Sequence, residues 1–188
     1  MIDDLLNRAV KDAGDLLPAI AALAPELAKL ADAMWASWSA GGKVLTAGNG
    51  GSASDAMHLA EELVVRFVKN RRAMPAVALC DPTVLTCAGN DFGFDSIFSR
   101  QVEALGKSGD VLICFSTSGN SANILRALET ARKNSLITAG FLGRDGGQAK
   151  LLCDIPLIVP AAAPHRVQEG HKILYHTLCE WVDAKCTK

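Results

Sequence analysis

From Ile2 to Ser39 apolar residues recur at helical spacing: Ile2, Leu5, Leu6, Ala9 and Val10 share one face, and Leu23, Leu27, Leu30, Met34 and Trp38 continue in steps of three or four. The pattern predicts two helices, or one bent near Pro18 and Pro25. After Gly41-Gly42 the rhythm changes. Five short runs, 43–47, 76–80, 111–115, 137–142 and 155–159, are rich in Val, Ile or Leu and lack strict alternation, as strands covered on both faces do. Segments of helical period lie between them, notably Ala53–Val68, Phe94–Ala104 and Ala122–Lys133, and a last one runs from about Arg166 to Val182. Strands alternating with helices predict an α/β chain: a doubly wound parallel five-stranded sheet flanked by helices, with residues 1–40 as a helical N-terminal extension. Such sheets bind ligands beyond the carboxyl ends of their strands, which places Gly48–Ser54 and Ser116–Ser121 at one rim. With no linker or low-complexity run, residues 1–188 are expected to form a single domain. The N-terminal apolar face has no place in a minimal sheet of this kind. It covers an edge of the core or meets another subunit, and a homo-oligomer is expected.

Composition narrows the function classes. Hydrophobic residues make up 49% of the 188 positions, ample for a core. The net charge is −1 with no basic tract, so the electrostatic footprint of a nucleic-acid binder is absent. The acidic start Met1-Ile-Asp-Asp is unlike a secretory signal, and no apolar run approaches the roughly 18 residues of a membrane span, so a cytoplasmic protein without membrane contact is expected. Six cysteines include no C-x-x-C pair and mostly sit in apolar segments; they read as reduced packing residues.

The chemistry concentrates in 44–63, a strand, a glycine turn and a helix. Gly48, Gly50 and Gly51 allow a tight turn and let an anion approach main-chain N–H groups, and Ser52 or Ser54 can cap the helix. His58 and Glu62, four apart, fall on one face of it. Glu61 is rotated by about 100° and is expected to face solvent. A second strand-to-helix junction, Ser116-Thr-Ser-Gly-Asn-Ser121, offers four hydroxyls where helix N–H groups attract an anion. Ordinary capping needs one hydroxyl, so the run points to phosphate held by Ser52, Ser116, Thr117, Ser118 and Ser121, with Asn49, Gly50 and Gly51 beside them. Gly48-x-Gly50-x-x-Ala53 also matches a loose dinucleotide fingerprint. The nearest acidic residue after the second run is Asp81, about 33 positions on instead of roughly 20, which weighs against a nicotinamide or flavin enzyme. No Gly-Lys-Ser/Thr occurs, which excludes a Walker loop.

Residues 109–121 resemble the signature of the sugar isomerase (SIS) domain, whose sheet is flavodoxin-like. The stretch 48–63, Gly89-Asn-Asp-Phe-Gly93 and Arg166-Val-Gln-Glu-Gly-His171 further resemble bacterial phosphoheptose isomerases, which act on sedoheptulose 7-phosphate. The likeness runs from about Gly41 to Val182. It implies one zinc per site, held by His58, Glu62, Gln168 and His176, a donor set that suits a borderline-soft divalent ion. Gln168 and His176, eight apart, lie about 80° apart around a helix and can share a broad face. It also implies Glu62 as base, His176 as acid, and sugar contacts from Asn90, Asp91, Glu62 and Gln168, although an Asn-Asp turn explains 90–91 equally well on spacing. His171, five before His176, is expected at the surface or an interface. A homotetramer with sites at interfaces is the implied assembly. One departure is His165, where some relatives carry an acidic residue, which bears on the finer substrate contacts. The competing reading is a non-catalytic SIS-domain protein that binds sugar phosphate or associates with the bacterial replication initiator; such a protein can dispense with Glu62 and His176.

Overall fold

A computed structural model describes residues 1–187; Lys188, the last residue of the expected domain, lies outside them. The N-terminal pattern resolves into two helices, α1 (Ile2–Ala21) and α2 (Ala24–Ser39), with Pro18 inside the first and Pro25 at the start of the second. Then come β1 (Val44–Gly48), α3 (Gly51–Val64), β2 (Ala76–Ala78), α4 (Pro82–Phe92), α5 (Ser99–Leu105), β3 (Val111–Ser116), α6 (Ala122–Lys133), β4 (Ile137–Gly143), β5 (Ile155–Val159) and α7 (Pro164–Cys186). All strand pairs are parallel, in the order β2-β1-β3-β4-β5. This is the doubly wound, flavodoxin-like sheet expected from the sequence.

The strands lack polar alternation because both faces are covered. β1 and β3 are buried at every position, with successive side chains sent to opposite faces. Val44, Val111, Ile113, Phe115 and Phe141 pack with α2, α3 and α7 through Leu30, Met34, Leu59, Leu63 and Leu174. Leu45, Ala47, Leu112, Cys114 and Leu142 pack on the other face with Phe98, Val102, Ile124 and Leu128. α2 belongs to the first core. α1 touches it only near its end, where Ile20 is buried, while Ile2, Leu5, Leu6, Val10 and Leu17 stay exposed.

Two local expectations need correction. The segment 94–104 is split into a short 3-10 turn, Phe94–Ser96, and α5. Residues 82–92, without a predicted element, form α4. Asp81 is its N-cap, accepting from the N–H groups of Thr83 and Val84 at 2.8 and 3.1 Å, and Pro82 opens it. Only Ala88 of this helix is buried, so it leaves a weak apolar period. The N-cap bonds account for Asp81 without a ribose. The six cysteines are all free thiols, and burial pushes those of Cys153 and Cys179 up to about 12.

Candidate active site

β1 and β3 are neighbours, and the helices that follow them leave on opposite faces, α3 into the first core and α6 into the second. This is the switch point at which doubly wound sheets open a crevice. A polar cavity of about 50 Å³ lies there, lined by Asn49, Ser52, Phe115, Ser116, Thr117 and Ser121. It has room for a compact anion or a few waters. Ser118, Gly50 and Gly51 belong to the same loops but do not line it. The side-chain amides of Asn49 and Asn123 bond reciprocally at 2.9 Å and tie one loop to the other. Ser116 Oγ accepts from the Gly119 N–H at 3.0 Å, shaping the second loop.

Neither α3 nor α6 has a side-chain cap; the N–H groups of Ser52, Ala53 and Ile124 already donate to the carbonyls of Asn49, Gly50 and Ser121, and the positive dipole ends face the cavity's rim, where they favour an anion. Ser52 and Ser54 therefore do not cap as expected. The helix starts at Gly51 with Gly50 as N-cap, placing both serines inside it, with Ser52 buried. A further segment supports the second loop. The Ala149 N–H donates to the Gly119 carbonyl at 2.9 Å and the Gln148 N–H to Asn120 Oδ1 at 3.0 Å. Gly119 has φ +64°, and a Cβ on it would lie 2.1 Å from the Gly146 carbonyl oxygen.

The second part of the site is built on α3 and α7, which lie side by side and run the same way. Lys172 Nζ meets Asp55 Oδ1 at 2.9 Å, and Tyr175 Oη lies 3.1 Å from His58 Nδ1, each pair 117 residues apart in sequence. Gln168 stands against Gly51 in the same register, its Nε2 2.4 Å from where a Cβ would be. His58 Nε2 is 3.1 Å from Glu62 Oε1, and the rings of His58 and His176 are 5.2 Å apart, edge to face. His176 Nε2 is buried and has no hydrogen-bond partner. Burial first, then the positive charges of His58 and Lys172, lower the proton affinity of His176, favouring a neutral ring with a free lone pair.

The structure thus brings His58, Glu62 and His176 together. Gln168 is not with them: its amide lies against Gly51, and eight residues of helix rise carry His176 about 12 Å further along α7. Asn90 and Asp91 occupy the last turn of α4, exposed, with Asn90 Nδ2 donating to Asp91 Oδ1 at 2.7 Å. They do not line the hydroxyl cavity.

A single family model matches the chain over residues 10–143, the SIS domain. The chain is 46% identical to the phosphoheptose isomerase of Pelobacter propionicus over 185 residues, 97% of each chain. The chain belongs to the phosphoheptose isomerase family. It is also 53% identical to the phosphoheptose isomerase of Burkholderia pseudomallei over 156 residues, 82% of this chain and 79% of that one. Among solved structures, the phosphoheptose isomerase of Francisella tularensis superposes with a TM-score of 0.94 at 36% identity, covering 98% of this chain and 99% of the other. Membership in the phosphoheptose isomerase family extends the match beyond the SIS model to β5 and α7, where His176 lies.

Three features escaped the sequence. His171 is fully buried, with Nε2 3.2 Å from the Leu142 carbonyl and its ring against Phe115 and Phe141, which corrects its expected surface position. The helix turns it about 140° from His176, onto the sheet. Glu61 is exposed, as its angle on the helix predicts, and it also has a carboxylate oxygen within 4.8 Å of ligand atoms of His58 and Glu62. Arg71 has a fully buried side chain that pairs with Asp183 at 3.0 Å and donates to the Leu63 and Glu62 carbonyls at 2.8 and 2.6 Å. It closes the last turn of α3, the turn that carries Glu62.

Proposed function

We propose that the chain is an aldose–ketose isomerase that converts sedoheptulose 7-phosphate to D-glycero-D-manno-heptose 7-phosphate for bacterial surface polysaccharide. The observation that carries this reading is the meeting of Glu62 and His176 beside His58, in a family of phosphoheptose isomerases. Isomerisation moves a proton between adjacent carbons and needs a base at one carbon and an acid near the carbonyl oxygen. Glu62 is assigned as the base and His176 as its acid partner. Ser52, Ser116, Thr117, Ser118 and Ser121, with the positive helix ends of α3 and α6, hold the distal phosphate, flanked by Asn49, Gly50 and Gly51; Asn90 and Asp91 are assigned to the sugar. Binding energy from that remote group fixes the open-chain sugar for reaction.

The donor set fits zinc. Among the described residues the group whose ligand atoms lie within 4.8 Å of one another is His58, Glu61 and Glu62; the His176 ring stands 5.2 Å from that of His58, and its buried Nε2 lacks a partner, which supports its turning to the ion as a further ligand. His58, Glu62 and His176 would hold the ion; Glu61 is less suited because it is exposed. When bound, zinc supplies Lewis-acid polarisation of the carbonyl oxygen. Gln168, distant from this trio within one chain, is assigned to the site of a neighbouring copy, where it completes the ligand set and contacts the sugar. That division supports sites shared between subunits and a homotetramer, with the exposed apolar stripe of α1 as one contact surface. No helix among the described residues is long and apolar enough to cross a membrane, which supports a cytoplasmic enzyme. The presence of both Glu62 and His176 disfavours a binding-only or replication-initiator-associated role.

Coupled turnover of Glu62→Gln and His176→Ala tests the assignment. Each is expected to lose on the order of 10²–10⁴ in kcat. Full activity retained in both variants overturns it.

A further inference from the structure

Asp55, Lys172 and Tyr175 form a cluster behind His58 that the proposed reaction does not use. Asp55 is 2% exposed and the Tyr175 side chain is fully buried. Lys172 Nζ donates to Asp55 Oδ1 at 2.9 Å and to Tyr175 Oη at 3.0 Å. Tyr175 Oη lies 3.5 Å from Asp55 Oδ1, within reach as its donor, and 3.1 Å from His58 Nδ1. The ring of Tyr175 also meets those of His58 and His176 edge to face, at 5.4 and 4.7 Å between centroids.

The chemistry of the cluster sets the state of His58. A neutral imidazole carries its proton on one nitrogen and a lone pair on the other, and the partner of each nitrogen decides which. Nε2 faces Glu62, and Nδ1 faces the tyrosine hydroxyl. A phenol oxygen can accept from Nδ1–H while its own proton points to Asp55. The Lys172 ammonium, which has three donors and no lone pair, holds the same carboxylate and phenol in place. Lys172 keeps its charge because its bonds to Tyr175 and Asp55 outweigh the cost of its partial burial. The Glu62 carboxylate, which only accepts, draws the proton to Nε2 while no ion is present, with Tyr175 O–H donating to Nδ1; when an ion takes the Nε2 lone pair the proton sits on Nδ1, and Tyr175 Oη, held by Lys172, accepts it while its own O–H turns to Asp55. Metal-ligating histidines commonly have the second nitrogen fixed in this way, and loss of the fixing partner typically costs 10–100-fold in affinity.

We infer that Tyr175, anchored by Asp55 and Lys172, is a positioning residue that fixes the ring orientation of His58 and accepts its Nδ1 proton when Nε2 is given to an ion, and thereby sets the affinity of the site for a divalent ion. The inference rests on the reading of His58 as a ligand. Tyr175 touches neither substrate nor reacting atoms in this scheme. Tyr175→Phe keeps the ring packing and removes only the oxygen.

The test is zinc affinity of the full-length protein, measured by competition with a chromogenic chelator, together with the ¹⁵N shifts of the histidine ring nitrogens with and without zinc. Wild type is expected to bind zinc, His58→Ala to lose binding, and Tyr175→Phe to bind about 10–100-fold more weakly. In the zinc-loaded Tyr175→Phe protein the His58 Nδ1 shift departs from the wild-type value of a hydrogen-bonded Nδ1–H, a signature that packing alone does not give. Lys172→Met, at a half-exposed position that leaves the hydroxyl in place, is expected to weaken binding less and, by leaving the buried Asp55 carboxylate unpaired, to lower stability. Unchanged affinity and unchanged ring shifts in Tyr175→Phe, with His58→Ala defective, overturn the inference alone. Equal zinc binding by wild type and His58→Ala overturns the ligand reading, and the inference with it. Should Tyr175→Phe fail to fold, Lys172→Met decides: binding and ring shifts identical to wild type overturn the inference.

Discussion

Replacing Arg71 with Met isolates what holds the last turn of α3, with Glu62, in place. The Arg71 side chain is fully buried; it pairs with Asp183, itself 4% exposed, and donates to the carbonyls of Glu62 and Leu63. Burial works against the Asp183 charge, and bonds from the Lys69 and Val68 N–H groups and from Arg71 overcome it, holding the carboxyl below its usual range. Removing one member of a buried pair typically costs 3–5 kcal/mol, because the other charge is left uncompensated. Two backbone donors, both at 2.8 Å, remain on Asp183 and moderate that penalty, and the Leu63 carbonyl keeps the Met74 N–H at 3.0 Å, whereas the Glu62 carbonyl loses its donor and adds to it. A loss of about 3 kcal/mol is expected, or a fall in Tm of about 6–12 °C for a chain of this size. Urea unfolding at one fixed protein concentration measures it, since assembly contributes to apparent stability. Adding Asp183→Asn, which keeps an acceptor for Val68 and Lys69 and removes the charge, should recover part of the loss. A cost below about 1 kcal/mol for Arg71→Met, or an Asp183→Asn substitution that deepens it, refutes the reasoning.

Two further outcomes follow from the geometry. Burial, only partly opposed by the bond to Leu142 and the charge of Asp55, drives the proton affinity of His171 down to about 4 from 6.5, so the unfolded chain binds the extra proton first. Its contribution, about 3 kcal/mol, is complete above pH 6.5 and is lost as pH falls from 6.5 through 4; urea unfolding at pH 7, 6, 5 and 4.5 should show a shallower decline in His171→Gln than in wild type. Gly119→Ala forces the loop 116–121 off the Gly146 carbonyl and, with that loop proposed to hold the phosphate, should raise the KM for the phosphorylated ketose by about 10-fold, roughly one charge-assisted hydrogen bond, while Gly14→Ala, in α1 with open space around its Cβ, leaves KM unchanged in the same coupled assay.

The sheet was legible because its central strands β1, β3 and β4 are compact apolar runs buried on both sides, and periodicity reports burial directly. The two hydroxyl loops were legible because their residue types exceed what capping needs. α4 was hidden because a helix with one buried residue has almost no apolar period, although Asp81-Pro82 was a usable start signal. His171 was misplaced for a related reason. Helical angles give the direction of a side chain only relative to its own axis, and the position of the neighbouring element decides whether that direction is core, site or solvent. The meeting of His58 with His176 could not be read from spacing at all, since it depends on the register of α7 against α3. Nor could the Arg71–Asp183 pair, whose members are 112 residues apart.

That register has a consequence for how the gene can change length. The contacts of α7 on α3 at Gln168, Lys172 and Tyr175 repeat one fixed offset, and Arg71 with Asp183 bolts the far end. A codon inserted between 172 and 183 would swing every later side chain of α7 by about 100°, so a deletion or insertion scan should find that stretch intolerant while the exposed start of α1 accepts added residues. Indel tolerance would then trace the shared frame of the two helices more sharply than point substitutions do.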